Sequence, residues 1–217
     1  MKELFQKIDK RLVNDYPIVS FTGAVYEICT VADSEKALCF LEKQPMLGLD
    51  TETRPIFKRG QTRYVSLLQL ATHKECFLFH LNRLGISQQL KALFENENIS
   101  KIGLSLHDDI QALQRREPFV PASFVDLQTL VPQLGVLDQS LQKLFANFFH
   151  QRISKREQLS NWERIPLTEK QRRYAATDAW ACVLIYDEYQ KYMTTRRYRL
   201  IIEDDTTQPD KAQAEQL

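Results

Sequence analysis

The spacing of apolar residues changes period several times along the first half of the chain. KELFQKIDKRL (Lys2 to Leu12) places apolar residues at helical intervals, which predicts a short amphipathic helix in an N-terminal lead-in, residues 1–24. After Gly23, VYEICTV alternates as a strand does. ADSEKALCFLEK returns to helical spacing, with Asp33 or Ser34 as its cap and Glu35 in its first turn. MLGLDTE (Met46 to Glu52) is an apolar strand that ends in polar residues. RYVSLLQLAT (Arg63 to Thr72) and ECFLFHL (Glu75 to Leu81) are β-like runs close enough to form a hairpin.

The second half is mostly helical in pattern. A helix is expected around Ser87 to Asn96, then the extended KIGLSL, then a helix opening near His107. SFVDLQTLV and SLQKLFANFF read as a short extended piece followed by helices. Thr168 and Gln171 form a T-x-x-Q capping box at the head of a long helix reaching about Tyr192. The tail EDDTTQPDKAQAEQL, residues 203–217, has too few apolar residues to pack and is expected to be disordered. The pattern predicts one α/β domain, residues 25–195, with a mixed central β-sheet flanked by α-helices.

Composition narrows the function. The net charge of +1 leaves no global basic footprint, so any contact with a polyanion falls to local patches. Four cysteines (29, 39, 76 and 182) lack C-x-x-C spacing, which argues against a zinc ribbon and fits reduced thiols. The charged start has no signal-peptide core, and no apolar run is long enough to span a bilayer. A cytoplasmic protein without a membrane partner is expected.

The candidate chemistry is acidic. Strand alternation puts Asp50 and Glu52 on one side of MLGLDTE, where like charges repel unless a cation lies between them. A second D-x-E, Asp33 to Glu35, falls at a helix start, where carboxylates favour the exposed amides. In the helix from Thr168, Asp178 interrupts an apolar stripe of Tyr174, Cys182, Ile185 and Tyr189. In SLHDDIQAL, helical geometry turns Asp109 inward with Leu106, Ala112 and Leu113, and leaves Asp108 in the first turn. His107 reads as a capping or surface residue. Four inward carboxylates without Cys or paired His suit Mg²⁺ or Mn²⁺, and such a cluster can hold two ions for in-line displacement at phosphorus.

LGLDTE, KIGLSLHDDIQAL and LSNWERIPLTEKQRRYAATDAWACVLIY, in that order and spacing, resemble the three motifs of the DEDD 3′–5′ exonucleases. The resemblance spans about Val25 to Tyr192. Tyr174 stands four residues before Asp178, as in the DEDDy branch, and the histidine position of the DEDDh branch is Arg173. Within the family the chain is similar to the Werner-syndrome-type exonuclease domain and to ribonuclease D. The resemblance implies a ribonuclease H-like fold and release of nucleoside 5′-monophosphates from a 3′ end. It implies that Asp50, Glu52 and Asp178 ligate one divalent ion, Asp50 and Asp109 support a second, and Tyr174 orients or helps deprotonate the attacking water. No ribonuclease-D-type helical domain fits after Tyr192, so a stand-alone nuclease is expected, with DNA favoured and RNA the alternative.

Substrate contacts are expected from Thr51, Thr53 and Leu106 beside the acidic residues. Arg54, Lys58, Arg59 and Arg63 form one basic run, and Arg152, Lys155, Arg156, Arg164, Lys170, Arg172 and Arg173 a second around Trp162. Trp162 itself is expected in the core. Two other readings compete: a non-catalytic nucleic-acid-binding module, which the intact acidic set argues against, and a metal-dependent phosphatase of small phosphate esters.

Overall fold

The computed structural model describes residues 1–55 and 63–202. Along them run β1 (Lys2–Phe5), α1 (Lys10–Asp15), β2 (Ile18–Val19), β3 (Ala24–Ile28), α2 (Val31–Leu41) and β4 (Met46–Glu52). Next come β5 (Leu67–Ala71), β6 (Glu75–His80), α3 (Leu81–Leu84), α4 (Gln88–Glu95), β7 (Ser100–Gly103) and α5 (Leu106–Gln114). The remainder is β8 (Phe124–Asp126), α6 (Leu127–Leu130) with a 3₁₀ turn, α7 (Leu141–Phe149), β9 (Arg152–Ile153), α8 (Glu169–Thr195) and β10 (Tyr198–Ile201). Lys58, Arg59 and the tail 203–217 lie outside the described residues.

Six strands form one mixed sheet in the order β3-β6-β5-β4-β7-β8. β4, β5 and β6 are antiparallel neighbours, while β3 joins β6, β7 joins β4 and β8 joins β7, all in parallel. One face packs Leu47, Leu49, Leu68, Leu70, Phe77 and Phe79 against α2, α4 and α5. The other carries Leu67, Leu78 and Ile102 beneath α7 and α8. Each Leu or Phe so buried contributes roughly 1.5–3 kcal/mol, which explains why strands covered on both faces read as apolar runs.

α8 is seated on β4 through a gap in side chains. A Cβ added at Gly48 would stand 1.9 Å from the Ala179 carbonyl oxygen, so only glycine lets the helix backbone come this close. Ala175, Ala176 and Ala179 are fully buried along the same contact. The helix starts where the capping box places it: Thr168 Oγ1 accepts from Gln171 N–H at 3.2 Å, and Gln171 Oε1 from Thr168 N–H at 3.0 Å.

The structure corrects two local expectations. α2 is capped by Thr30, whose Oγ1 accepts from Asp33 N–H at 3.1 Å, so neither Asp33 nor Ser34 is the cap. Residues 2–5 form a strand, not a helix, and pair in parallel with β10. Asn147 completes that edge, donating to Phe5 O at 2.7 Å and accepting from Phe5 N–H at 2.8 Å. Long-range partners outweigh a helical period that, over so few residues, confers little stability.

Replacing Gly48 by alanine should overpack the β4–α8 contact and lower stability by about 3 kcal/mol, read as a drop in the urea midpoint. A change below about 0.5 kcal/mol would show that the helix is not held against the strand there.

Candidate metal-binding active site

Alternation along β4 sends Gly48, Asp50 and Glu52 toward α8 and Thr51 to the opposite side. Because Ala179 rests on Gly48, the preceding residue of α8, Asp178, is carried to the acidic end of the strand. Carboxylate oxygens of Asp50, Glu52 and Asp178 all lie within 4.8 Å of one another. Asp109 approaches the same strand end from α5 and stands outside that triad, accepting a hydrogen bond from Thr51 Oγ1.

α5 is placed by a cap that the local sequence hides. Its N-cap residue, Ser105, sits at φ 59° and makes no side-chain cap bond. The Asp126 carboxylate takes the role instead, accepting from Ser105 N–H at 3.0 Å and Leu106 N–H at 2.9 Å. It also caps α6 through Gln128 N–H at 2.9 Å. One side chain at the end of β8 thus fixes the start of the helix that carries Asp109.

Without a cation the cluster favours protons. Burial pushes the Asp50 carboxyl well above its usual range, and the charges of Asp178 and Asp109 add to this. For the same reasons, burial first and Asp50 next, Glu52 is raised to about 10. Burial raises Asp109 to about 6, against the opposing effect of its Thr51 hydrogen bond. Asp178 is also raised by burial, opposed by the Tyr174 hydroxyl and by the charge of Lys155. The Tyr174 phenol is pushed far up by burial and by Asp178 and Glu52, so it keeps its proton. Its ring lies 5.8 Å from that of Trp162, which is fully buried as expected.

Asp50, Tyr174 and Asp178 open onto a cleft of about 270 Å³, with Lys155, Gln158 and Cys182 among its other walls. Crowded hard oxygen donors, buried and each reluctant to ionise beside the others, fit a divalent cation of the Mg²⁺ or Mn²⁺ kind. Asp50, Glu52 and Asp178 would hold it.

Comparison with known proteins identifies the family. Residues 26–194 match the family model described as 3′–5′ exonuclease. The chain belongs to the 3′–5′ exonuclease family. It is 32% identical over 187 residues to the mouse bifunctional 3′–5′ exonuclease/ATP-dependent helicase WRN, an alignment covering 82% of this chain and 13% of that protein. To ribonuclease D of Haemophilus influenzae it is 25% identical over 193 residues, covering 88% and 45%. The exonuclease domain of Aedes aegypti Nibbler shares the fold at a TM-score of 0.74 and 24% identity, with 83% and 94% covered. The chain therefore spans less than half the length of either of these two curated relatives, and its architecture is the ribonuclease H-like α/β fold of ribonuclease D, Rrp6 and Nibbler exonuclease domains.

In this exonuclease domain the expected substrate contacts are placed unevenly. Thr51 is engaged by Asp109, Thr53 is half-buried, and Leu106 is only 2% exposed. Arg54 is exposed and ion-paired to Glu163 at 2.8 Å, and Arg63 meets the same carboxylate at 3.0 Å. Lys58 falls outside the described residues.

The second basic run is divided in role. Arg152, Arg172 and Arg173 donate to carbonyls of Tyr16, Val25, and Phe21 with Gly23, bracing residues 16–25 while remaining partly exposed. Arg164 turns to Pro166 O. Lys155, Arg156 and Lys170 remain exposed, and Arg156 borders a recess that Tyr174 shares. Gln158, in the cleft wall, carried no sequence signal.

Metal-free protein should lose stability as pH rises. The folded chain holds protons on Asp109 up to about 6 and on Glu52 up to about 10, whereas the reference values are 3.8 and 4.5. Between those limits the folded state binds more protons than the unfolded state, so raising pH favours unfolding. Asp50→Asn should raise the urea midpoint in EDTA by about 1 kcal/mol equivalent and abolish stabilisation by added Mg²⁺. Denaturation curves with and without EDTA test this; an unchanged Mg²⁺ response in the variant would remove Asp50 from the site.

Proposed function

We propose that the protein hydrolyses nucleic acid from the 3′ end, releasing nucleoside 5′-monophosphates, with DNA the favoured substrate and RNA the alternative. One observation carries the reading: Asp50, Glu52 and Asp178 meet within 4.8 Å at the edge of an open cleft that Tyr174 also lines. Two divalent cations, when bound, would supply a water of lowered pKa and neutralise charge on the phosphate. Asp50, Glu52 and Asp178 would hold one, and Asp50 with Asp109 the other. Tyr174, on the cleft wall beside Asp50 and Asp178, would orient or help deprotonate the attacking water. Thr51 holds Asp109 in position through its hydroxyl. Lys155 adds positive charge on the cleft wall, where a phosphate would lie.

We favour DNA on the resemblance of the motifs to the Werner type; the chain is 32% identical to mouse WRN, against 25% and 30% for two ribonucleases D. The RNA reading draws on the relatives named ribonuclease D and on a solved structural neighbour, Trypanosoma brucei ribonuclease D in complex with RNA. We place the protein in the cytoplasm, since its four cysteines are free thiols.

Matched end-labelled DNA and RNA strands with 3′ overhangs, in Mg²⁺ or Mn²⁺, test the proposal. Stepwise shortening from the 3′ end is expected, faster on DNA. Asp50→Asn and Asp178→Asn should each lower kcat on the order of 10³-fold or more, and Tyr174→Phe about 10–100-fold. Inactive wild type in both metals would favour the binding-module reading. Cleavage confined to mononucleotides would favour a phosphatase, and faster RNA turnover would reverse the substrate preference.

A further inference from the structure

Across the sheet from the carboxylate triad, the register assembles a second set of ligand atoms. Glu52 pairs with Leu67 of β5, and Leu67 pairs with His80 at the end of β6. Beyond β6, the parallel register of β3 sets Ile28 beside Phe79, so Cys29 follows beside His80. Glu27 is two residues before Cys29 and therefore on the same side of the strand. Ligand atoms of Glu27, Cys29 and His80 all lie within 4.8 Å of one another. Leu67 and Gln69 of β5 separate this cluster from Asp50 and Glu52.

We propose that Glu27, Cys29 and His80 bind a transition metal ion of the Zn²⁺ class, at a site separate from the catalytic carboxylates. The donor set decides the class. A thiolate and an imidazole select Zn²⁺ over Mg²⁺ or Mn²⁺, and three protein ligands leave a fourth position for water. Charge balances as well: the Cys29 thiol releases its proton to solvent, the imidazole binds neutral, and Cys29 and Glu27 together neutralise a dication.

Two ligands are already oriented. His80 Nε2 and Glu27 Oε1 are 2.8 Å apart, and Glu27 Oε1 also accepts from Leu167 N–H at 3.0 Å. The incoming ion binds Nε2 in place of the hydrogen shared with Glu27, and the neutral imidazole changes tautomer so that its single proton sits on Nδ1. His80 is buried at 1% exposure, while Glu27 and Cys29 are half-buried, which leaves a path for the ion from solvent. Bound metal would staple edge strand β3 to β6 and, through Glu27, to the segment leading into α8.

Cobalt(II) provides a readout independent of nuclease activity. Titrated into the protein with excess Mg²⁺ present to occupy the carboxylate site, it should give a thiolate-to-cobalt charge-transfer band at one equivalent, which Zn²⁺ abolishes. Cys29→Ser should lose the band, Glu27→Gln should weaken cobalt binding about tenfold or more, and Asp178→Asn should retain both. Absence of the band in the wild type, or its survival in Cys29→Ser, overturns the site. Cys29→Ser should keep its Mg²⁺-dependent nuclease activity and its circular dichroism spectrum. Loss of the band then reports on this site alone, while an inactive wild type bears only on the exonuclease reading.

Discussion

The contact between the backbone of α8 and the bare face of Gly48 governs the structure. A helix normally rests on a sheet at a distance set by the side chains between them. Here glycine on the strand and alanines on the helix remove that spacer, and the Ala179 carbonyl lies where a Cβ would be. Asp178 precedes Ala179, and Asp50 lies two residues beyond Gly48, so the same contact presses two carboxylates together. Packing energy gathered along a 27-residue helix is set against charge repulsion at one of its turns.

The remaining supports extend that arrangement. Gln171 completes the capping box and then donates through Nε2 to Ser160 Oγ at 3.0 Å and Asn161 O at 3.1 Å, tying the segment around Trp162 to the helix start. Thr177, beside Asp178, accepts from Phe21 N–H at 2.9 Å. Asp126 sets α5, and α5 delivers Asp109 to Thr51. Each acidic residue is thus positioned by an element whose own geometry is satisfied elsewhere. The cluster can then remain strained in charge without being loose in shape, as a cation site requires.

Charged residues with no place in the chemistry show the same economy. Lys101 is fully buried in β7, yet its ammonium donates to Asn96 O at 2.7 Å and lies 5.2 Å from the Phe124 ring centroid. Asp138 is buried but accepts from Ile8 N–H at 3.0 Å and lies 3.5 Å from Lys143 Nζ. Arg152, Arg172 and Arg173, in the second basic run, also hydrogen-bond backbone carbonyls of residues 16–25. Charge composition alone cannot separate these uses, because a guanidinium serves a carbonyl as readily as a phosphate.

Period and capping chemistry in the sequence were enough to reveal the alternating strands, the α8 cap, the inward turn of Asp109 and the pairing of Asp50 with Glu52. These are local consequences of backbone geometry, and the three motifs supplied the family. The strand at residues 2–5, the cap that Asp126 lends to α5, the pairing of Arg54 and Arg63 with Glu163, and the meeting of Glu27 with His80 were decided by tertiary structure. Each joins residues far apart in the chain, and local periodicity holds no information about which distant groups will satisfy one another. The sequence by itself determined which carboxylates turn inward. Only the fold decided that three of them share one small volume, because that rests on how closely one helix can approach one strand.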